Sequence, residues 1–289
     1  MMSKEIERRF SPSFWTSRYS QEDAVNKYIE VSTKIGEEIL KEQIPCSLNI
    51  TYGGKEREKF DLFGTDLPDD APILIFIHGG YWQYEVVTKN TSRYPVKSLY
   101  KNGIKTIIIG YTLSPECMVE EIIKNVSFAL NKCFSYAFEK GSRCVGISGH
   151  SAGAQISIIS MISLFKTLKQ NQKKIFKGFF LLGGIYNLEE ILETSYNDVL
   201  KLNKNKAKEL SPIFQSYDDF NDEIKFFICV GTEDCPGFID QSKQIYDLLK
   251  NGGKSTELIT IKGIDHYNIT ENLHDENFEI IKIIKANLI

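Results

Sequence analysis

The sequence alternates between short continuous apolar runs and longer segments of helical periodicity. A continuous apolar run of four to eight residues is typical of a strand that is buried on both faces of a sheet. Six such runs predict strands at PILIFIHGG (72–80), TIIIGY (106–111), CVGISGH (144–150), FFLLGG (179–184), FFICVG (226–231) and ELITIKG (257–263). The segments that separate or follow them predict helices over 91–102, 117–139, 152–169, 187–202, 237–251 and 273–288.

The start of the predicted sheet has a different pattern, because apolar and polar residues alternate there. This alternation at CSLNITY (46–52) and EKFDLF (58–63) predicts an antiparallel pair of strands, with Gly53-Gly54 in the turn between them. Upstream of this pair, residues 1–45 are predicted to form a helical N-terminal extension, in which isoleucines recur among charges from about Tyr19 to Lys41.

Strands that alternate with helices predict an α/β fold, with a mostly parallel sheet of about eight strands and helices on both faces. No repeat, no Pro- or Ser-rich linker and no change in composition marks a domain boundary, so residues 1–289 are predicted to form one domain. Within that domain, residues 185–222 are predicted to be a helical and loop insertion over the sheet edge.

The composition is that of an ordinary soluble globular protein, with 42% hydrophobic and 25% charged residues. The 35 Lys and Arg residues nearly balance the 38 Asp and Glu residues, which gives no electrostatic reason to expect nucleic acid or a membrane as partner. No apolar run could cross a bilayer and the charged start MMSKEIERRF has no secretory pattern, so a cytoplasmic protein is predicted. The six cysteines have no metal-ligand spacing, and no metal site is predicted.

One motif predicts a nucleophile. Gly149-His150-Ser151-Ala152-Gly153 follows a predicted buried strand and opens a predicted helix. This is the setting of a nucleophile elbow, in which the turn is so tight that glycines flank the serine at two positions on either side. The free N–H groups and the positive dipole end of the helix then point at the reacting centre. The alternative is a serine that only caps the helix.

A second motif, HGGYW (78–82), ends an earlier buried strand. Consecutive glycines let the backbone approach a ligand closely and direct its N–H groups inward, as an oxyanion hole requires. Hydrolases with a nucleophile elbow place one such N–H in this loop and another on the residue after the nucleophile. The predicted donors are therefore Gly79 or Gly80, together with Ala152. The alternative is an ordinary turn from strand to loop.

A serine nucleophile needs a general base. Of the four histidines, His78 and His150 belong to the two motifs, and His274 lies among acidic residues at the start of the last predicted helix. His266, in KGIDHYN, directly follows the last predicted strand and lies downstream of the serine. The sequence therefore predicts His266 as the base.

The base in turn needs an orienting carboxylate. Asp234, in VGTEDCPGF, follows a predicted strand, and the resulting order Ser151, Asp234, His266 is that of the α/β-hydrolases. Glu233 and Asp265 are neighbouring alternatives. Glu233 is expected to point elsewhere on its turn, and Asp265 is too close in sequence to reach the ring of its own neighbour easily. Asp234 is the predicted acid.

Four segments resemble the eukaryotic-type kynurenine formamidases, or arylformamidases, which are serine hydrolases of the α/β-hydrolase fold. These segments are HGGYWQ (78–83), GHSAGAQ (149–155), GTEDCPGF (231–238) and DHYNITENL (265–273). Many carboxylesterases carry HGGG where this chain has HGGY, so the Tyr81-Trp82 continuation and the last segment are the most diagnostic. The chain departs from other members at Gly237, Tyr267 and Asn268.

The resemblance implies hydrolysis of N-formyl-L-kynurenine to L-kynurenine and formate in tryptophan degradation, without cofactor or metal. At the matching positions it implies Ser151 as nucleophile, Asp234 and His266 as its partners and the loop of Gly79 and Gly80 as oxyanion hole. It is also compatible with a homodimer. Because the leaving group is aromatic, aromatic side chains at the same sheet edge are candidate substrate contacts, with core or loop packing as the alternative for each. These candidates are Tyr81, Trp82, Tyr111 and Tyr186.

Two other functions stay open on the sequence. A broad-range carboxylesterase that acts on small acyl esters would use the same triad. A catalytically silent binding protein of the same fold is the second alternative, although the presence of all three triad residues speaks against it.

Overall fold

Eight strands form one sheet in the computed structural model, which describes residues 2–289. In chain order they are β1 (Cys46–Thr51), β2 (Lys59–Phe63), β3 (Ile73–Ile77), β4 (Lys105–Ile109), β5 (Val145–His150), β6 (Phe176–Leu182), β7 (Lys225–Gly231) and β8 (Thr256–Ile261). Their spatial order is β1-β2-β4-β3-β5-β6-β7-β8. Strand β2 pairs antiparallel with β1 and β4, and the other neighbours are parallel. The predicted α/β fold with a mostly parallel sheet of eight strands is therefore confirmed.

The α-helices of the described chain lie between and around these strands. They are α1 (Met2–Arg9), α2 (Ala24–Lys41), α3 (Val96–Tyr100), α4 (Val119–Glu139), α5 (Ala152–Thr167), α6 (Gln170–Ile175), α7 (Asn197–Leu200), α8 (Lys204–Glu209), α9 (Pro236–Asn251), α10 (Asn268–Glu271) and α11 (Glu279–Leu288). Short 3₁₀ turns occur at Pro12–Phe14, Asn90–Ser92, Glu190–Glu193, Pro212–Phe214 and Asn272–His274. None of the helices formed by residues 2–289 combines the length and apolar character that a membrane span requires.

The long helices α4, α5 and α9 agree with their predicted positions, but the continuous helix predicted over 187–202 is wrong. That segment contains the 3₁₀ turn Glu190–Glu193 and then the four-residue helix α7. Thr194 separates them in an extended conformation, with its backbone N–H bonded to the carbonyl of Ile191. The hydroxyl of Thr194 donates to the same carbonyl. The side chain thus bonds the backbone locally, and the 3₁₀ turn ends before Thr194.

The predicted extension over 1–45 contains α1 and α2, and Met1 lies outside the described residues. Helix α2 begins at Ala24, later than the predicted start near residue 19, because Ser20 and Asp23 form a hydrogen-bonded turn before it. The segment 185–222 contains α7, α8 and two 3₁₀ turns, with loops between them.

Both faces of the central strands β3 to β7 are buried, which explains their continuous apolar runs, whereas the edge strands β1 and β8 are largely exposed or half-buried. In β3, Ile73, Ile75 and Ile77 belong to one core cluster, whereas Leu74 and Phe76 belong to the cluster on the other face. Helices α4, α5 and α9 contribute side chains to the first cluster, and α2, α3 and α11 contribute to the second.

The parallel register places the chemistry-bearing loops together. Ile77 of β3 lies opposite Gly149 of β5, and His150 lies opposite Leu182 of β6. Strands β7 and β8 extend this parallel set. The loops that follow β3, β5, β6, β7 and β8 therefore emerge along one edge of the sheet, which is where α/β folds bind ligands.

Candidate active site

Ser151 occupies a sharp turn between β5 and α5. Its φ of 54° and ψ of −121° lie in a region that residues with a side chain rarely adopt. A Cβ at Gly149 would lie 2.3 Å from the carbonyl oxygen of Gly153, and a Cβ at Gly153 would lie 2.2 Å from that of Ile77. The Ser151 N–H donates to the carbonyl of Leu182 at 2.9 Å, which fixes the turn against β6. The two glycines are thus required by close backbone contacts.

His266 and Asp234 form a buried hydrogen-bonded pair. Nδ1 of His266 lies 3.1 Å from Oδ1 and 3.0 Å from Oδ2 of Asp234. The carboxylate accepts, so Nδ1 carries the proton and Nε2 is left free to accept one. The backbone N–H of Cys235 donates to Oδ1 of Asp234 at 2.6 Å and orients the carboxylate. The ring of Phe238 stacks on the imidazole at 4.5 Å.

The structure brings this pair to the serine, since Ser151 and His266 line the same pocket. The two carboxylates that competed with Asp234 in sequence are engaged elsewhere. Glu233 accepts a hydrogen bond from the hydroxyl of Ser17, and Asp265 accepts from the side chains of Thr16 and Arg18.

The HGGYW loop lies directly against the elbow. A Cβ at Gly79 would lie 3.0 Å from Cβ of Ser151. The chain then turns through three consecutive positive φ angles, at Gly80, Tyr81 and Trp82. The Tyr111 hydroxyl lies 2.8 Å from the carbonyl of His78 and 3.1 Å from that of Gly79, so it anchors the start of this loop.

The N–H groups predicted to bind the oxyanion have no hydrogen-bond acceptor within the described chain. Among residues 2–289, no backbone or side-chain acceptor bonds the N–H of Gly80 or of Ala152. Gly80 lines the pocket, and Ala152 begins α5, whose first-turn N–H groups lack partners within the helix. This arrangement can hold negative charge that develops on a carbonyl oxygen beside Ser151.

Two further histidines support these loops in the neutral form. His78 donates through Nδ1 to the carbonyl of Gly79 and stacks on Tyr111 at 4.2 Å. Burial lowers the pKa of His78 to about 4. Nε2 of His150 donates to the carbonyl of His266 at 2.9 Å. Burial, and next the nearby His266 ring, hold the pKa of His150 well below its usual value.

The rest of the pocket is aromatic and aliphatic. No Asp, Glu, Lys or Arg of the described chain lines it. One wall comes from the N-terminal extension, whose helical part the sequence left as a possible interface or cap for the site. The lining residues, besides Gly80, Tyr81, His150, Ser151 and His266, are Pro12, Ser13, Val25, Tyr28, Ile29, Tyr84, Val86, Val87, Tyr196 and Tyr267.

The four predicted aromatic contacts lie in different surroundings. Tyr81 lines the pocket and stacks on Tyr196, with 3.7 Å between ring centroids. Trp82 is fully buried, and its indole N–H donates to Gln155 at 3.0 Å. Tyr111 is buried and bonds the HGGYW loop, and Tyr186 is buried with its phenol ring against Gly184. Of the four, only Tyr81 lines this pocket.

Sequence reasoning missed Gly183, which directly follows β6. Its φ is +49°, and a Cβ there would lie 2.9 Å from Oδ2 of Asp234 and 3.0 Å from Nδ1 of His266. Gly183 thus leaves the space that the acid–base pair occupies. The Gly-Gly pair at the end of FFLLGG resembles the one after β3 and was the available signal.

Comparison with known proteins shows the family of the chain. A model of the family described as alpha/beta hydrolase fold matches residues 74–270, more than half of the chain. Kynurenine formamidase of Salmo salar is 30% identical, over 98% of this chain and 96% of the relative. Those of Danio rerio and Drosophila melanogaster are 29% and 25% identical, again over 98% of this chain and 96% of each relative.

Solved structures share the fold. A Silicibacter sp. TM1040 protein, provisionally described as a thioesterase, superposes with a TM-score of 0.77 at 22% identity, over 98% of each chain. An esterase of Pyrobaculum calidifontis gives a TM-score of 0.70 at 16% identity, over 92% of each chain. The family match and the nearly full-length relatives together identify the chain: it belongs to the kynurenine formamidase family of α/β-hydrolases.

Proposed function

We propose that this protein hydrolyses N-formyl-L-kynurenine to L-kynurenine and formate, with Ser151 as nucleophile. The observation that carries the proposal is the similarity, over nearly the whole chain, to three proteins named kynurenine formamidase. The buried Asp234–His266 pair in one pocket with Ser151 supports it, because acyl transfer needs a base whose tautomer is fixed.

In the first half of the proposed reaction, Oγ of Ser151 attacks the formyl carbon while Nε2 of His266 takes the hydroxyl proton. The N–H groups of Gly80 and Ala152 hold the oxyanion of the tetrahedral intermediate. His266 then gives its proton to the aryl nitrogen as the C–N bond breaks. The products of this half are L-kynurenine and a formyl ester of Ser151.

In the second half, water attacks the formyl ester and gives its proton to His266. The tetrahedral intermediate collapses, His266 returns the proton to Oγ of Ser151, and formate leaves. Asp234 accepts from Nδ1 throughout and stabilises the imidazolium that forms in each half. One water is consumed, and no cofactor or metal is required.

The lining of the pocket suits an aryl leaving group. We propose Tyr81, held flat against Tyr196, and the neighbouring Tyr84 as the surface on which the aromatic ring packs. Trp82, Tyr111 and Tyr186 are not proposed as contacts, because they do not line the pocket. The charged amino-acid tail would point to the mouth, where water solvates it, since the described lining offers no charged partner.

The uncharged lining also favours a second candidate, a carboxylesterase that acts on small acyl esters with the same residues. The ratio of kcat/KM for N-formyl-L-kynurenine to that for short p-nitrophenyl esters separates the two. A preference for the formamide supports the proposal, and a preference for the esters by orders of magnitude would reject it.

The direct test is formate release from N-formyl-L-kynurenine by the wild type and by Ser151→Ala. We expect turnover by the wild type and a loss of at least about 10³-fold in the variant. A fluorophosphonate probe should label the wild type at Ser151 and leave the variant unlabelled. Absence of labelling in a folded wild type would instead favour a catalytically silent binding protein.

We further propose a cytoplasmic location. All six cysteines of the chain are free thiols, and five of them are buried. Unpaired buried thiols are usual in reducing compartments. Fractionation of cells expressing the tagged protein would test this, and recovery in a membrane or organelle fraction would contradict it.

A further inference from the structure

Residues 10–18, here called the strap, follow α1 and form the first part of its connection to α2. The strap contains a single 3₁₀ turn, Pro12–Phe14. Pro12 and Ser13 line the pocket. A segment that only linked two helices would need no side-chain bonds to the catalytic loops, yet the strap bonds to all three of them.

The first bonds go to the turn that carries His266. The hydroxyl of Thr16 donates to Oδ2 of Asp265 at 2.6 Å, and Nε of Arg18 donates to the same oxygen at 2.8 Å. Oδ1 of Asp265 accepts the backbone N–H groups of Tyr267 at 2.9 Å and Asn268 at 2.8 Å. Asp265, the residue before His266, therefore fixes the backbone of the two residues after it, and the strap fixes Asp265.

The charge of Asp265 depends on these bonds. Its side chain is almost fully buried, and a buried carboxylate is costly unless it is paired and hydrogen-bonded. Burial acts to raise the pKa of Asp265, but the bonds from Arg18 and Thr16 outweigh it, and the pKa lies below its usual value. Without the strap, this carboxylate would lose its only charged partner in the described chain.

Arg18 also reaches the far end of the same loop. Nη1 of Arg18 donates to Oε2 of Glu271 at 2.7 Å. Glu271 is buried and is the last residue of α10. The planar guanidinium donates to both carboxylates at once, which a lysine ammonium on a flexible stem does less well. Arg18 thus ties the turn of His266 and the short helix after it into one unit.

The strap contacts the other two catalytic loops as well. The hydroxyl of Ser17 donates to Glu233, the neighbour of Asp234, at 2.7 Å. The ring of Phe10 packs edge-on against Phe238, at 5.8 Å, and Phe238 stacks on the imidazole of His266. The Tyr81 hydroxyl donates to the carbonyl of Phe10, which joins the strap to the oxyanion loop.

We propose that the strap holds the acid, base and oxyanion loops in register, and that Arg18 is a positioning residue for His266. Arg18 acts through Asp265 and is not itself among the residues that line the pocket. Proton transfer between Ser151 and His266 needs their separation held closely, and misplacement by about 1 Å can cost about 100-fold in rate. This inference rests on the proposed triad but not on the identity of the substrate.

The test uses full-length Arg18→Met and Arg18→Lys, with p-nitrophenyl acetate as substrate. Complete fluorophosphonate labelling, read by mass spectrometry, counts the folded sites, and kcat is expressed per labelled site. Arg9→Ala is the control. Arg9 belongs to the same N-terminal extension, but its ion pair is with Asp240 in α9 and not with the loops of the triad. We expect kcat to fall about 10- to 100-fold in Arg18→Met, with KM within about twofold. Arg18→Lys should be intermediate, and the control unchanged.

A purely structural role would lower the melting temperature or the count of labelled sites while leaving kcat per site unchanged, and that outcome would overturn the proposal. If Arg18→Met yields no labelled sites, Thr16→Val replaces it as the test variant. This substitution removes one hydrogen bond to Asp265 at nearly constant side-chain volume. Full kcat per site in Thr16→Val would then overturn the proposal, and a fall of about 3- to 10-fold would support it. A wild type that cleaves the ester but not N-formyl-L-kynurenine would reject the proposed substrate and leave this test intact.

Discussion

The imidazole of His150 donates a hydrogen bond to the backbone carbonyl of His266 at 2.9 Å. The residue before Ser151, the proposed nucleophile, is thereby joined to His266, the proposed base, across the 116 positions that separate His150 from His266 in sequence. The two rings lie 4.6 Å apart. The elbow and the base loop are thus fixed to each other by one buried side chain.

This bond predicts the effect of His150→Phe. The variant keeps a planar ring but leaves the His266 carbonyl without its donor, and an unsatisfied buried carbonyl costs about 1–3 kcal/mol. We expect a lower melting temperature and a fall in kcat/KM of about 10-fold or more. Thermal unfolding and steady-state kinetics measure the two effects. Unchanged kinetics in a folded variant would show that the bond does not position the base.

The two buried histidines predict a loss of stability in mild acid. The unfolded chain takes up protons at His78 as the pH falls below 6.5, whereas the folded chain does so only near pH 4. The free energy of unfolding therefore decreases as the pH decreases through this window. The slope approaches about 1.4 kcal/mol per pH unit for each such histidine. His150 acts in the same direction, because its pKa is also lowered.

Urea unfolding at several pH values between 6.5 and 5.5 measures this slope. This range is chosen because most carboxylates titrate at lower pH. His78→Gln should reduce the slope by about 0.5 bound proton at pH 6.5 and about 0.9 at pH 5.5, whatever its stability at neutral pH. A variant with the wild-type slope would show that His78 is not buried in its neutral form.

Gly183→Ala should impair catalysis more than it impairs folding. The new methyl group would lie 2.9 Å from Oδ2 of Asp234, so the acid–base pair must shift. Gly103→Ala is a matched control, since Gly103 also has a positive φ, of +72°, but its added methyl group meets nothing within 4 Å. Both variants carry backbone strain of about 1 kcal/mol. Only Gly183→Ala should lose kcat, by about 10-fold or more, and equal kinetics in both would contradict the contact.

Asp234→Asn tests the carboxylate itself. The amide cannot stabilise the imidazolium and can hold the wrong tautomer of His266, for which losses of about 10⁴-fold in kcat are typical. Glu233→Gln is the control, because the glutamine amide oxygen can still accept from Ser17 and Glu233 does not bond His266. Formate release gives both rates. If Asp234→Asn stays active and Glu233→Gln does not, the acid has been assigned to the wrong residue.

The strand positions could be predicted closely because each buried strand is a continuous apolar run with glycine or a polar residue at its end. Helices α4 and α9 were equally predictable, because each buries one stripe of a regular period, and α5 is a long helix that is buried on nearly all sides and directly follows the glycine-flanked turn at Ser151. The structure of the segment 187–202 was not predictable in this way, since its apolar residues are buried one at a time within short turns. Leu188, Ile191 and Leu200 are all fully buried there without sharing one helix face.

The sequence by itself determined the fold and the triad candidates, because both depend on local patterns. Flanking glycines force the elbow at Ser151, and each candidate follows a strand whose end lies at a known edge of a parallel sheet. Only the tertiary structure decided which aromatic side chains face the pocket, since Tyr81 and Trp82 are adjacent in sequence and only Tyr81 lines it. It also decided that residues 10–18 bond the loops of Asp234 and His266. Such contacts join positions more than 200 residues apart, and no local period or spacing encodes them.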